Sequence, residues 1–503
     1  MRASSVAPEI FFLRHGSGAN LQAQLRERVV AAILTGQIRP GDRLPSTRRL
    51  ADYLHISRTT VTLAYQELGA QGYLEAAARS AHRVADRGRP LGPAGAATAA
   101  EGAGVDWHAR LRRAGHLHRP IVKPFDWQRY PYPFLYGQMD MSLFDLAEWR
   151  ECSRMALARR DFEEMASDAA AADDPMLVDH IRSHGLPLRG IEAKPEEVLV
   201  TLGAQNALWI ATALLLGPER RAAHENPGHP DIAGALHLSG AAVSAVDVDA
   251  EGLPPASLPA RLDVLVVTPS HQAPTTVTMP LQRRRQLLEA ADARDFVIVE
   301  DDYEFEMSFL APPSPALKSL DRRGRVIYVG SFSKSLFPGL RLGYLVGPAP
   351  LIAEARAMRA LMLRHPPGHL QRTVAHFLAR GSYDALIRRM RDAFHERYTT
   401  MIEALDRTGL KIAGSSRFGG TSLWLEGPPG LDATALAQEL REDGVLIESG
   451  APFFAGPAAP CRFFRLGFSS IPPARIPEGI TRLAHRVEAH ARSGRVRCGT
   501  PRS

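Results

Sequence analysis

Apolar side chains at Leu21, Leu25, Val29, Val30, Ile33 and Leu34 recur at helical spacing, and Gly36, Pro40 and Gly41 then stop the pattern. Beyond Pro45, Ser46 stands as an N-cap before a second helix that carries Leu50, Ala51 and Leu54 on one face and ends near His55-Ile56. Ser57 caps a third, running from Arg58 to Leu68 with Tyr65 on its core side. Two short helices joined by three or four residues make a helix-turn-helix, in which the second helix offers its N-terminal side chains to a DNA major groove.

Farther along, the periodicity changes. Val297-Ile298-Val299 predicts a buried strand that runs into Glu300, Asp301, Asp302 and Tyr303, and Glu197 to Leu202 predicts another, followed by a small-residue turn and an apolar helix. Carboxylates at the C-terminal end of a parallel strand face the crevice where α/β folds bind ligands, and a helix N-terminus with free N–H groups is a ready phosphate site. Between the two halves, Asp86 to about Gly104 holds almost no large apolar residues, which predicts a mobile linker to about Arg119.

Charge sharpens this division. Residues 1–90 hold 13 Arg, no Lys and 7 Asp or Glu, a formal balance of +6 out of +7 for all 503 residues. Such an asymmetry suits a polyanionic partner, DNA most simply, or a basic solvated face. Length implies at least two domains. No apolar run approaches a membrane span and no signal-peptide core is present, so a cytoplasmic protein is expected. Cys152, Cys461 and Cys498 are too scattered for a zinc site, His116-x-His118 reads as linker, and no metal is expected. There is no Walker A, His-Glu-x-x-His or Gly-x-Ser-x-Gly pattern, which leaves nucleotide hydrolysis, zinc proteolysis and serine hydrolysis without support.

The run Gly330-Ser331-Phe332-Ser333-Lys334-Ser335-Leu336-Phe337-Pro338-Gly339-Leu340-Arg341 sets one lysine among small residues with an arginine seven positions on. An amine that must form an imine, beside a guanidinium that grips a phosphate, fits pyridoxal 5′-phosphate. A Ser/Gly loop with a solvated lysine is the other reading of these residues. A carboxylate from the acidic strand end could hold the cofactor's pyridine nitrogen protonated, and a tyrosine hydroxyl could bond its phenolic oxygen.

From about Tyr136 to His490 the chain resembles the aminotransferase-like half of the MocR/GabR regulators. The matching residues are Thr201-Leu202-Gly203-Ala204-Gln205, Glu225-Asn226-Pro227-Gly228, Pro269-Ser270-His271-Gln272, Glu300-Asp301-Asp302-Tyr303, the lysine run, and Arg465-Leu466-Gly467-Phe468. The resemblance implies an α/β PLP-dependent transferase domain of fold type I with a small C-terminal α+β subdomain. It implies that Lys334 forms the Schiff base, Asp301 faces the pyridine nitrogen and Tyr303 the phenolic oxygen, and that Ala204, Gln205, Ser331, Ser333 and Arg341 surround the phosphate. Arg465 resembles the arginine that binds the carboxylate of an amino-acid ligand. In two places the chain departs from the family. His229 stands where the family has a tyrosine stacked on the cofactor, and Gln272-Ala273-Pro274-Thr275-Thr276 lacks the asparagine and glycine of the aminotransferase Asn-Pro-Thr-Gly pattern, which favours ligand binding over transamination.

Gly41-Asp42-Arg43-Leu44-Pro45-Ser46 through Ser57-Arg58-Thr59-Thr60-Val61 to Gly72-Tyr73-Leu74 resembles the GntR winged-helix (α+β) domain. By that match Arg48, Arg49, Ser57, Arg58, Thr59 and Thr60 meet DNA, most of them at phosphates, with Arg58 the candidate base reader. The wing, Glu75 to Val84, lacks the usual glycines.

The expected layout is an N-terminal tail (1–12), a winged-helix domain (13–86), a flexible linker (87–119), a PLP-binding effector domain (120–492) and a basic tail (493–503). The expected function is transcription regulation, with an amino-bearing, amino-acid-like effector forming an external aldimine in place of Lys334. The expected partners are operator DNA and a second copy of the chain, head to tail. The alternative is a working aminotransferase with an attached DNA-binding domain. Thr275 to Met279 and Leu361 to Pro367 look like the subgroup that responds to taurine or to breakdown products of ectoine.

Overall fold

The computed structural model describes residues 6–13, 20–77, 81–85, 105–111, 120–166, 172–414, 417–456 and 460–493. The chain divides into two compact units, one ending at Leu111 and the other beginning at Arg112. The tip of the wing, most of the linker and the basic tail fall outside the described residues.

In the first unit, helices α1 (Leu21–Leu34), α2 (Thr47–Leu54) and α3 (Arg58–Ala70) are followed by the antiparallel pair β1 (Leu74–Ala77) and β2 (Ala81–Val84). The caps act as their chemistry requires: Ser46 Oγ accepts from Arg49 N at 3.2 Å and Ser57 Oγ from Thr60 N at 3.0 Å. Between them His55 takes the left-handed conformation, φ 53°, that ends α2. Leu25, Val29, Leu50, Val61, Ala64, Leu68 and Leu74 fill the core. Tyr65 joins them; its hydroxyl donates to Pro45 O at 3.1 Å and its ring meets that of His82 on β2 edge-on, which ties α3 to the wing.

The first twelve residues are not all a tail. Val6 and Phe11 are buried in this core, and Val6 N donates to Arg43 O at 2.9 Å. Sequence reading missed them because Phe11-Phe12 lacks a partner pattern of its own; packing against α2 supplies it. Within the expected linker, Trp107–Arg110 forms one helical turn with Trp107 exposed.

The second unit is built on a seven-stranded sheet, β3 (Val198–Thr201), β4 (Arg221–Asn226), β5 (Ala242–Asp247), β6 (Val264–Val267), β7 (Val297–Asp301), β8 (Val326–Ser331) and β9 (Gly343–Val346), in the order β3-β9-β8-β7-β6-β4-β5. All pairings are parallel except those of β9, which is antiparallel to both β3 and β8. β3, β8 and β9 are buried along their whole length, which is why they read as continuous apolar runs. On one face Leu199, Val266, Val299, Val329 and Leu345 pack under helix α4 (Gly203–Leu215); on the other lie Leu265, Val267, Ile298 and Phe296. A small antiparallel sheet includes Ser422–Glu426 and Phe463–Gly467, and Glu448–Ser449 pairs beside the latter.

Candidate functional site

All ten residues singled out for cofactor and effector, Ala204, Gln205, His229, Asp301, Tyr303, Ser331, Ser333, Lys334, Arg341 and Arg465, border one cavity of about 330 Å³. It opens at the C-terminal ends of β7 and β8 and at the start of α4, where ligand crevices of α/β sheets lie.

The anion end is made by backbone. α4 starts at Gly203, φ 79°, with no side-chain cap on its first N–H groups, so those of its first turn keep their donor capacity. Arg341 packs against it: a Cβ at Gly203 would lie 3.2 Å from Arg341 Nη2, so the guanidinium and the helix end share a cradle that only glycine leaves open. Ser331 Oγ accepts from Ser333 N at 3.2 Å, and Ser333 Oγ is buried without a partner. β8 reaches this point through Gly330, where a Cβ would lie 2.2 Å from the Tyr344 ring.

The acid end is Asp301. It is 8% exposed, its Oδ1 has no partner, and burial pushes its carboxyl up to about 7, with Asp302 and Glu225 adding to the rise. A buried carboxyl with an unmet oxygen is what a pyridine nitrogen would satisfy. Asp302 does not border the cavity; its Oδ2 is held by Arg189 and by the Tyr328 hydroxyl at 2.7 and 2.8 Å. Tyr303 borders the cavity, but its hydroxyl donates to His271 O at 2.9 Å, so toward a ligand it acts only as an acceptor.

His229 caps helix α5 (Pro230–Leu238): its Nδ1 accepts from Asp231 N at 3.3 Å. Burial lowers it to about 4 although Asp231 opposes, which leaves a neutral ring on the cavity wall. Where the asparagine and glycine are missing, Ala273 is a small wall residue and Thr276 keeps a glycine-like φ of 62°. A β-branched residue held there is strained by about 1–2 kcal/mol.

The lysine sits over an aromatic floor. Lys334 Nζ lies 4.2 Å from the centroid of the Tyr136 ring, and the Arg465 guanidinium 4.1 Å from the same ring. Burial, followed by the charge of Lys123, brings the Lys334 amine down to about 7, against the pull of Glu304. An amine poised there is nucleophilic near neutrality. Arg465 already has a partner: its Nε and Nη2 bond Glu448 Oε2 at 2.7 and 2.6 Å. The other Glu448 oxygen takes Tyr136 N at 3.1 Å and Lys123 at 3.2 Å.

Sequence reasoning missed Tyr136, Glu448, Lys123 and Glu304. The Glu448–Arg465 pair follows from strand register, since the two are direct cross-strand partners, and no local motif marks it.

In the first unit Arg48 and Arg49 lie in the first turn of α2, Ser57 in the α2–α3 turn and Arg58, Thr59 and Thr60 at the start of α3; all are exposed except Thr60, which is half-buried. Ser57 and Thr60 spend their hydroxyls on each other at 2.8 Å, while Arg58 Nε reaches Thr47 Oγ1 only at 3.5 Å, leaving its guanidinium for an outside partner. No described helix is long and apolar enough to cross a membrane.

Comparison with known proteins accounts for both units. The family of bacterial regulatory proteins, gntR family, matches residues 21–84, and aminotransferase class I and II matches residues 178–483. The chain is 53% identical over 486 residues to the HTH-type transcriptional regulator TauR of Rhodobacter capsulatus, covering 95% of this chain and 99% of that one. It is 31% identical over 481 residues to the probable rhizopine catabolism regulatory protein MocR of Rhizobium meliloti, covering 94% and 95%. Among solved structures, LysN, the alpha-aminoadipate aminotransferase of Thermus thermophilus complexed with N-(5′-phosphopyridoxyl)-L-leucine, matches with a TM-score of 0.69 and 27% identity over 77% of this chain and 100% of that one. The chain belongs to the MocR-type transcription regulators, in which a DNA-binding GntR domain is fused to an aminotransferase class I/II domain.

Proposed function

We propose that this regulator senses a small amino-bearing molecule through pyridoxal 5′-phosphate held in the 330 Å³ cavity. Bound there, the cofactor supplies an aldehyde that forms a Schiff base with an amine. Lys334 holds it by that bond. Asp301 keeps a proton at the pyridine nitrogen, and its unpartnered Oδ1 supports the role. The free N–H groups at Ala204 and Gln205, with Ser331, Ser333 and Arg341, bind the phosphate. His229 and Tyr303, which border the cavity, would meet the ring and its phenolic oxygen. An effector amine takes the place of Lys334, and Arg465 receives its acid group.

One observation carries this reading: a nucleophilic lysine, an unpartnered buried carboxylate and an arginine at an uncapped helix start converge on a single cavity. Arg48, Arg49, Ser57, Arg58, Thr59 and Thr60 form the DNA face. Two copies, arranged head to tail in the cytoplasm, meet two operator half-sites, and effector binding shifts the balance between two arrangements of the DNA-binding units.

The test is spectroscopic. The purified protein should show a visible imine band that borohydride fixes at Lys334, and a screen of amino acids and amines, taurine and ectoine breakdown products included, should raise the melting midpoint of the loaded protein. The same reducible band in Lys334→Ala would refute the assignment. Repeated conversion of an amino acid to its keto acid would move the protein to the aminotransferase reading.

A further inference from the structure

Lys334 borders two cavities. Besides the large one it faces a second, of about 30 Å³, room for one or two waters, whose wall includes Gly137, Asp140, Ser333, Glu304 and Thr421. The amine already lies against this wall: a Cβ at Gly137 would sit 2.5 Å from Lys334 Nζ.

The small cavity contains an unpaired acid. Glu304 is 4% exposed, the Thr421 hydroxyl donates to its Oε1, and no cation lies within ion-pairing distance of it among the described residues. Asp140, the cavity's other carboxylate, is already held by Arg397. Glu304 Oε2 faces a notch left by Gly420, where a Cβ would lie 3.9 Å from it and 3.6 Å from His271 Nε2, and neither ring nitrogen of His271 has a partner. Among the described residues Lys334 for its part has no ion-pair partner and faces the Tyr136 ring, with Lys123, Arg465 and Glu448 beyond it. Burial raises the Glu304 carboxyl, opposed by Thr421 and then by Lys334. A buried acid and a buried base, each without an ionic partner, thus border one water-sized space.

We propose that Glu304 is the seat of the displaced lysine: when an amine takes the place of Lys334 in the large cavity, the Lys334 side chain turns into the small one and its ammonium pairs with Glu304. The inference rests on the reading that Lys334 carries the cofactor. The balance is complete. A carbon–nitrogen double bond to the effector would form as the one to Lys334 breaks, and all the hydrogens that the effector's ammonium gives up in becoming an imine nitrogen would pass to Lys334, which leaves as an ammonium. With its lone pair occupied, the seated lysine cannot take a proton from the effector's carbon skeleton, which separates sensing from transamination. Glu304 is a positioning residue in this scheme, since it acts through Lys334.

The full-length protein freed of cofactor provides the test. Uptake of the aldehyde pyridoxal is followed at its imine band from about pH 5.5 to 9; its rate rises as Lys334 loses a proton, so the midpoint reads that amine in place. Glu304→Gln should move the midpoint down by about one pH unit, because a nearby opposite charge is lost. Glu304→Asp should restore it. Thr421→Val, nearly isosteric and lacking the hydroxyl that holds Oε1, should shift it the same way by a smaller step and serves if the glutamine variant does not fold. An unchanged midpoint in Glu304→Gln and Thr421→Val, or an aspartate variant that behaves like the glutamine one, overturns the seat. Uptake that survives in Lys334→Ala instead fails the cofactor reading.

Discussion

Replacing Arg465 separates two roles that its place at the cavity combines. The guanidinium is 4% exposed and Glu448 fully buried, with two bonds to Oε2 at 2.6 and 2.7 Å. Removing one partner of a buried pair typically destabilises by about 3–5 kcal/mol, because the other charge stays desolvated. Here Lys123 at 3.2 Å and Tyr136 N remain on the other Glu448 oxygen, so the loss in Arg465→Met should fall at the lower end, about 3 kcal/mol. In Arg465→Met/Glu448→Gln no unpaired carboxylate remains, and Lys123, whose side chain is 26% exposed, can turn to water. The double variant should therefore recover about 2 kcal/mol relative to the sum of the two single losses. Urea midpoints of the cofactor-loaded, effector-free protein measure the cycle. Burial alone would raise the Glu448 carboxyl, but Arg465 and Lys123 outweigh it and hold it below its ordinary value. The stability it contributes is therefore present above the ordinary carboxylate range and lost as pH falls through the depressed value, and the double variant should lose that acid-side slope. The recovered protein should still load cofactor and bind operator, yet not respond to an effector with an acid group. Additive losses would show the pair to be energetically idle, and a wild-type effector response in the double variant would end the case for Arg465 as the effector's anchor.

Two further outcomes are expected. Arg58→Ala should weaken operator binding by about 1–3 kcal/mol and relax discrimination, whereas Arg48→Ala should weaken all sequences alike and lower the salt slope by about one; equal loss on operator and random DNA for Arg58→Ala would reduce it to a phosphate contact. Burial raises Asp301 from 3.8 to about 7, so in the cofactor-free protein its stabilising share is full below the ordinary value and lost as pH rises toward 7. Melting midpoints of cofactor-free Asp301→Asn should fall less between about pH 5 and 7 than those of the wild type, and parallel curves would contradict this.

What the sequence disclosed and what it hid have a common physical cause. Ser46 and Ser57 were legible because a cap acts on N–H groups two or three residues away, and β7 because three consecutive residues, Val297, Ile298 and Val299, meet apolar neighbours on the two faces of the sheet. The lysine run and the acidic strand end were legible for the same reason: each carries its chemistry within a dozen residues. Tyr136, Lys123, Glu304 and Glu448 carry no such local mark. Glu448 reaches the cavity only through its register with Arg465, and Tyr136 becomes the floor under Lys334 only because a segment 198 positions earlier in the chain crosses beneath the sheet ends. Phe11 was lost to a supposed tail in the same way, since it is buried in a core built by residues far along the chain, Leu25, Leu50 and Val61 among them. The undetected residues are also the ones that hold Arg465 and face Lys334, so the charge pairing of the cavity is set only at the level of tertiary contacts. Family resemblance supplied the expected cofactor contacts one by one, but which buried charges lie unpaired beside Lys334 is a property of the packed domain, and Glu304 is the place where the two descriptions meet.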